Sequence, residues 1–338
     1  MTGSVFAADP VVTLAVADGA RTAARILVEG LGKAAVYFTI AVGLTLVFGL
    51  MGVLNFAHGA VTMAGAYLGG LILLLLVGSG SSTLLTIAAF FVAMAIVFAL
   101  LTAAGGAMEL KLIRPIYDRT PTYQILLTFG VALIVEELMR ILLTLRGIQP
   151  EPQWRPPMGT APDALLARTD FLGIAVRRLY LFEMVIGAIV LVAVYLFLTQ
   201  TLYGLFIRAG SEDTEMVQAL GVDVRRAFTV VFGIGTGLAA VGGVLLMWDP
   251  IWGPSVLLSI DVLLYAFVVV IIGGLGSFKG TVVASGIVGI ADSVTTWLFN
   301  AGHVTFSGLP EVTIFLLLVG MLIVKPQGLY GVEEVGGH

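Results

Sequence analysis

The 338-residue chain has no cysteine, three histidines, and charge on only 11% of its residues. Without cysteine there is no disulfide framework, no thiol nucleophile and no thiolate metal site, and the redox compartment is left open. A soluble domain carries roughly 25% charged residues, so this deficit excludes an ordinary water-soluble fold. Nucleotide chemistry is missing as well. There is no G-x-x-x-x-G-K-[ST] loop, because Lys279 precedes Gly280 in GLGSFKG instead of following a properly spaced glycine. No G-x-S-x-G elbow, no H-E-x-x-H pair and no basic nucleic-acid face occurs. The chain is therefore expected to be no enzyme, to carry no catalytic residue, metal or cofactor of its own, and to bind no nucleic acid.

What is there is apolar. Hydrophobic residues make up 59% of the chain and the mean hydropathy is +1.07. Such a composition predicts an all-α polytopic membrane protein in the lipid bilayer. A helix needs about 20 apolar residues to cross about 30 Å of hydrocarbon. Runs of that kind fall near 31–51, 60–78, 84–108, 123–145, 180–202, 227–248, 256–275, 281–299 and 310–325, which predicts nine transmembrane helices within a range of eight to ten. The range reflects two short runs and two glycine-rich breaks, Asn55–Gly59 and Gly273–Gly280, that suit broken or re-entrant helices. Residues 1–29 lack a basic start followed by an apolar core and read as a surface or interfacial tail. Residues 30–331 form the membrane domain and 332–338 a C-terminal tail. The long loop 146–179 contains Pro150, Pro152, Pro156, Pro157, Pro162 and Trp154, enough chain to fold over one face.

Between two apolar runs lies the charged insert Arg208–Arg226, RAGSEDTEMVQALGVDVRR. Ser211 suits the cap of a short helix whose first turn carries Glu212, Asp213 and Glu215 near the positive dipole end, and Gly221 suits a left-handed stop. Asp223 then caps the next helix. The insert is too short for a domain and too polar for lipid, so residues 203–226 are expected to dock on another protein outside the membrane.

Glu215, Met216, Val217 and Gly221 resemble the E-A-A-x-x-x-G motif by which ABC importer permeases dock on their ATPases, with Met and Val in place of alanines. Gly43–Gly69, Ala266–Gly289 and the VKPQGLYG segment at Val324–Gly331 resemble the membrane subunits of the branched-chain amino acid importer family, more nearly the LivH-type than the LivM-type subunit. The similarity runs from about Gly30 to Gly331. It implies a bacterial cytoplasmic membrane protein with several partners: a second, LivM-type permease, two ABC ATPases that carry the ATP and Mg, and an extracytoplasmic solute-binding protein. Arg208, Ser211, Glu212, Asp213, Glu215, Gly221, Arg225 and Arg226 would form the ATPase contact, and loop 146–179 would meet the binding protein.

With the insert on the cytoplasmic side, alternation puts Lys111, Arg114, Arg119, Arg208, Arg225, Arg226, Lys279 and Lys325 inside. Arg21, Arg25, Lys33, Arg146, Arg155, Arg168, Arg177 and Arg178 fall outside, so a plain count of basic residues is balanced. The short loops favour this orientation.

The segments 48–65 and 272–286 share a weak pattern of glycines followed by a small-residue helix. In each, polar residues coincide with the break: Asn55, His58 and Gly59 in the first, Gly276 and Lys279 in the second. These suit a pathway or gate. His58 has no metal-ligand neighbour in sequence, and reads either as a gate or substrate hydrogen bond or as the imidazole cap of the following helix. The pairs Gly65/Gly69 and Gly233/Gly237 read as close helix packing.

Charges inside apolar spans are costly and therefore functional candidates. Arg140 follows Glu136 by four residues and Glu137 by three, which predicts a neutralising pair and leaves one glutamate for a second partner or the pathway. Asp292 and Glu183 have no basic partner at helical spacing. The expected function is import of a branched-chain amino acid, or of a related small amphipathic solute such as urea, an amide or an aromatic acid, powered by separate ATPases. The alternative is an ion-coupled secondary carrier using Glu136, Glu137 and Asp292.

Overall fold

A computed structural model describes residues 10–78, 80–148, 161–212, 216–217, 223–249 and 252–331, with side chains described from Gly19 onward except at Ser211 and Glu212. The helices are α1 (Pro10–Met51), α2 (His58–Leu76), α3 (Thr83–Met108), α4 (Pro121–Leu145), α5 (Asp163–Leu166), α6 (Arg178–Gln200), α7 (Leu202–Glu212), α8 (Val224–Leu246), α9 (Leu258–Gly273), α10 (Phe278–Asn300) and α11 (Leu309–Val324). Long runs of Leu, Ile, Val and Ala without internal proline favour helix, since lipid offers the backbone no other hydrogen-bond partner. The starts follow capping chemistry. Ser277 accepts from the Gly280 N–H at 3.1 Å ahead of α10 and Asp223 from the Arg226 N–H at 3.2 Å ahead of α8, while Pro121 opens α4.

Among the described residues, six helical stretches are long and apolar enough to cross a membrane: Gly19–Met51, His58–Leu76, Thr83–Ile116, Arg178–Gln200, Val224–Leu246 and Phe278–Asn300. Each of the nine expected runs coincides with a helix. However, α9 and α11 have only 16 residues each, and α4, with its three charges, is not among the six. The molecule is thus a polytopic helical protein, and helix length and composition do not fix nine spans. Residues 10–29, expected as a separate tail, are helical and continuous with the first span in α1. Among the described residues the chain also departs from all-α at one place. Within the 146–179 loop, β1 (Arg168–Phe171) and β2 (Ile174–Arg177) pair antiparallel around a tight turn at Leu172 and Gly173, both at positive φ, with the Gly173 N–H donating to Asp170. Four-residue strands leave too faint an alternation to be read from sequence.

The core is built on α1 and α8. Lipid tails supply no hydrophobic drive between helices, so close van der Waals contact must hold them. The glycines make it possible. Gly43 of α1 and Gly235 of α8 face one another, Gly65 lies on Ala240, Gly69 on Val244, and Gly233 and Gly237 on Thr102 and Phe98 of α3. The packing role expected for those two glycine pairs is what they perform. α10 runs back along α1, as successive contacts show: Thr45 meets Thr281 at 2.6 Å, and Ser293 donates to the Ile26 carbonyl at 2.9 Å. At one end of the bundle Leu50 of α1 packs on Gly210 of α7, beside the insert; at the other, Gly32 packs on Tyr180, just after the hairpin. These are called the insert end and the hairpin end.

Candidate functional site

Both expected breaks are present, and they touch. The chain leaves helix at 52–57 and again at 274–277. A Cβ placed on Gly49, just before the first break, would lie 3.0 Å from the Gly276 Cα in the second. Gly274 and Gly276 adopt φ of 99° and 80°, where a side chain would be strained, so glycine sets both the turn and the contact. The carbonyls freed at the end of α9 are satisfied from the VKPQGLYG segment. The Leu329 N–H donates to Ile272 at 2.8 Å and the Tyr330 N–H to Gly273 at 3.0 Å.

After the first break the chain turns back inward. Asn55 Oδ1 accepts from the Ala57 N–H at 3.0 Å, a local turn that starts α2 with buried residues, while Thr128 of α4 accepts from the Phe56 N–H at 3.2 Å. His58 does not cap α2. Its Nε2 bonds the Ile40 carbonyl at 2.9 Å, and its Nδ1 is buried without a partner among the described residues. Ile40 is eleven residues before the end of α1, about 16 Å along the helix, so α2 begins beside the middle of α1 and not at its end. Gly59 packs on the Ser259 carbonyl, which brings the first turn of α2 against the first turn of α9. Two helix N-termini therefore meet, that of α2 buried and that of α9 buried on its Leu258 and Ser259 side, a pairing of positive dipole ends used by discontinuous helices to hold polar solutes. The start of α9 as an interior helix end was not visible in the sequence, where 256–275 reads as one apolar run.

The buried charges lie elsewhere than the helix pattern predicts. Asp292 of α10 accepts from Lys33 Nζ at 2.8 Å, from Tyr37 OH, and from Thr296 Oγ1 at 3.0 Å, and both charged residues are buried. Lys33 was expected on the outer surface. The two are 259 residues apart, beyond any spacing rule, and they meet because α10 retraces α1. Glu183 of α6 is 1% exposed, and neither of its oxygens has a hydrogen-bond partner among the described residues.

A second cluster was missed. α3 continues into a π-helical turn, Glu109–Ile113, where the Arg114 N–H bonds the Glu109 carbonyl. In an α-helix side chains five apart point about 140° from each other, whereas the wider turn aligns them. Glu109, fully buried, accepts from Arg114 Nε at 3.1 Å and Nη2 at 2.9 Å, from Tyr117 OH at 2.6 Å and from Thr229 Oγ1 at 2.7 Å. Arg114 also donates to the Arg225 carbonyl at 3.0 Å. Burial first, and the bond to Glu109 second, raise the Tyr117 phenol above its ordinary range, so it stays a donor. The end of α3 is thereby clamped to the first turns of α8, where the chain leaves the insert.

The remaining expected site residues are scattered. Arg140 Nε lies 3.9 Å from Glu137 Oε2 on α4, with Glu137 exposed and Glu136 and Arg140 half-buried. Lys279 is exposed at the insert end. In the insert, Ser211 and Glu212 continue α7 to its last residue, so Ser211 is not an N-cap, because the helix begun at Leu202 runs through it. Asp213, Glu215 and Gly221 lie outside the described residues. Arg208, Arg225 and Arg226 are exposed, Arg226 pairing with the cap Asp223 at 2.8 Å.

The family model described as branched-chain amino acid transport system / permease component matches residues 26–325. The chain is 26% identical over 312 residues to the high-affinity branched-chain amino acid transport system permease protein BraD of Pseudomonas aeruginosa, covering 91% of this chain and 96% of that one. It is 27% identical to LivH of Escherichia coli K12, covering 91% and 95%. The probable LivH of Methanocaldococcus jannaschii is also 27% identical, with 87% and 88% covered. With a match across most of its length, the chain belongs to the family of branched-chain amino acid transport permeases, as a LivH-type membrane subunit.

Proposed function

We propose that the chain is the permease subunit of a binding-protein-dependent ABC importer that moves a branched-chain amino acid, or a related amphipathic solute such as urea, an amide or an aromatic acid, across the bacterial cytoplasmic membrane. The observation that carries this reading is how the insert is tied into the broken core. α7 leads into the insert and packs through Gly210 on Leu50, in the last turn before the break at 52–57. α8 leads out of it, lies against α1 at Gly43 and Gly235, and is held to α3 by Glu109 and Arg114. A displacement of residues 203–226 is therefore passed by packed helices to both sides of the break, and such bistable packing needs no chemistry in this subunit.

In this reading two ABC ATPases carry ATP and Mg and dock on residues 203–226. A LivM-type permease completes the pathway, and an extracytoplasmic binding protein meets the loop 146–179 at the hairpin end. α4, α9 and α11 join the six apolar helices in the bilayer, giving nine spans within residues 30–331. The pathway runs past Asn55, His58 and Gly59, where the interior ends of α2 and α9 meet, with Gly276 as a hinge contact. The names of BraD and LivH, which state branched-chain amino acid transport, support the solute class. An ion-coupled carrier built on Glu136, Glu137 and Asp292 finds less support, since Glu137 is exposed and Asp292 is bonded to Lys33.

The test is uptake of labelled leucine into proteoliposomes holding both permeases and the ATPases, with binding protein outside, ATP within, and ionophores collapsing all gradients. ATP-dependent accumulation is expected. Gradient-driven accumulation by this chain alone would overturn the reading, and ATP-driven uptake of urea or an aromatic acid but not leucine would overturn the solute.

A further inference from the structure

Between α2, α3 and α4 runs a groove of about 450 Å³ that has no part in the coupling just described. Its floor is buried, made by Val61 and Ala64 of α2, Leu101 and Gly105 of α3, and Thr236 of α8. Leu112 and Leu138 at its rim are exposed, so the groove opens outward between helices that face hydrocarbon. Its floor offers little to a polar solute. The Thr236 hydroxyl already donates to the Phe232 carbonyl at 2.7 Å. A polar group moved onto such a surface would lose its bonds to water and gain none, whereas a hydrocarbon chain has none to lose.

The charged group in its lining is Lys111, at one end. Lys111 lies in the π-helical turn Glu109–Ile113, and Arg114 just after that turn donates to the Arg225 carbonyl, where the chain leaves the insert. This is therefore the insert end of the groove. Lys111 is exposed and makes no hydrogen bond or ion pair among the described residues, whereas Arg114 is engaged by Glu109, Thr229 and Arg225. From Lys111 back to Leu101 the helix rises about 15 Å, half of the roughly 30 Å hydrocarbon core. The groove thus has the depth of one leaflet, with a cation at the level of the headgroups. Spread over that length, its 450 Å³ make a slot about 6 Å across. One hydrocarbon chain fits such a slot, and a helix of another subunit, about 10–12 Å across with its side chains, does not.

We propose that this groove seats one acyl chain of an anionic phospholipid, with the lipid phosphate on Lys111. Basic pockets between membrane helices on the cytoplasmic side hold acidic headgroups in this way. A zwitterionic lipid carries its own ammonium beside the phosphate and gains less from the lysine. Only the naming of the leaflet as cytoplasmic rests on the importer reading. The test places the assembled transporter in nanodiscs with a trace of phosphatidylglycerol or phosphatidylcholine, each bearing a photoactivatable diazirine on its acyl chain, and maps the crosslinks by mass spectrometry. Phosphatidylglycerol should label the groove segments, Leu101 to Leu112 and Val131 to Met139, at least fivefold more than phosphatidylcholine does. Lys111→Gln should abolish that preference. Ala104→Trp, which fills the groove from an exposed position and leaves Lys111 in place, should cut labelling by both lipids at least fivefold. Lys279→Gln, at another exposed lysine of the insert end, should leave labelling unchanged. Equal labelling by the two lipids in the wild type overturns the proposal, as does an unlabelled groove, the result expected if the second permease covers it. It is overturned too by a preference that survives Lys111→Gln or is lost with Lys279→Gln, and by labelling that survives Ala104→Trp. The wild-type comparison stands even if a variant fails to accumulate. Labelling requires neither solute nor ATP, so its failure leaves the importer reading intact, and failure of leucine uptake leaves the lipid site intact.

Discussion

Lys33 and Asp292 are joined by a 2.8 Å ion pair between antiparallel helices, both side chains almost wholly buried, with Tyr37 and Thr296 completing the carboxylate's bonds. A pair of this kind is weak evidence of net stabilisation, but breaking one side of it leaves a buried charge without compensation. Lys33→Met alone should therefore destabilise the protein by about 3–5 kcal/mol. Adding Asp292→Asn should recover most of that loss. Apparent melting temperatures of the purified variants in one detergent check this, and a double variant no more stable than the single one would contradict the pairing as the cause.

Glu109 should matter for coupling more than for insertion. Glu109→Gln keeps volume and some hydrogen bonding but removes the charge facing Arg114, at a cost of about 1–3 kcal/mol. The clamp between α3 and α8 loosens, so ATP hydrolysis should persist while the solute moved per ATP falls severalfold. The ratio of the two rates in one vesicle preparation is the readout. An unchanged ratio would show that the clamp does not transmit the movement.

The charges of α4 lead to the opposite expectation. The separation of Arg140 from Glu137 is 3.9 Å at an exposed face, and such pairs contribute about 0–1 kcal/mol. Arg140→Leu should leave the isolated chain's stability nearly unchanged. Replacing Glu136, Glu137 and Arg140 together with apolar residues should keep abundance as well. If abundance holds while uptake is lost, this face works through a partner subunit, and co-purification of the second permease decides the matter.

The insert is testable without knowing its detailed shape. In the proposed ATPase contact, Gly221→Val would disfavour a left-handed stop by roughly 1–3 kcal/mol, and Glu215→Ala would remove a docking charge. Both variants should insert normally and bind ATPase less tightly. Normal ATPase stimulation by either would remove the insert from the coupling path.

Much of the fold could be read from the chain because the bilayer leaves few choices. Long apolar runs must be helices, and their positions near 31–51, 84–108, 180–202 and 227–248 agree with α1, α3, α6 and α8 to within a few residues at most ends. The glycine pairs Gly65/Gly69 and Gly233/Gly237 were legible for the same reason, since close approach of helices in lipid has few other means. Site chemistry was less so. Helical spacing pairs residues three or four apart, so it offered Arg140 to Glu136 and Glu137, the second of which lies 3.9 Å from it, and passed over the pairing of Lys33 with Asp292, which only tertiary structure joins. Glu109 and Arg114 escaped because their spacing of five has meaning only in a π-helical turn. His58 was expected either as a cap or at a gate; it does not cap α2, and its ring crosses to Ile40, a contact fixed by how far the chain re-enters after residue 51.

The bonds from Leu329 and Tyr330 to Ile272 and Gly273 also constrain the order of events at the ribosome. α9 and the turn after it emerge more than fifty residues before the donors that complete them, so the last carbonyls of α9 must first be met by water or by the translocation machinery. At about 5–20 residues per second that interval lasts some seconds, long enough for α10 to enter the bilayer beforehand. That end of the bundle is thus closed from residues 324–331, and a nascent chain stalled before Leu329 would hold the described helices with the end of α9 still unlatched.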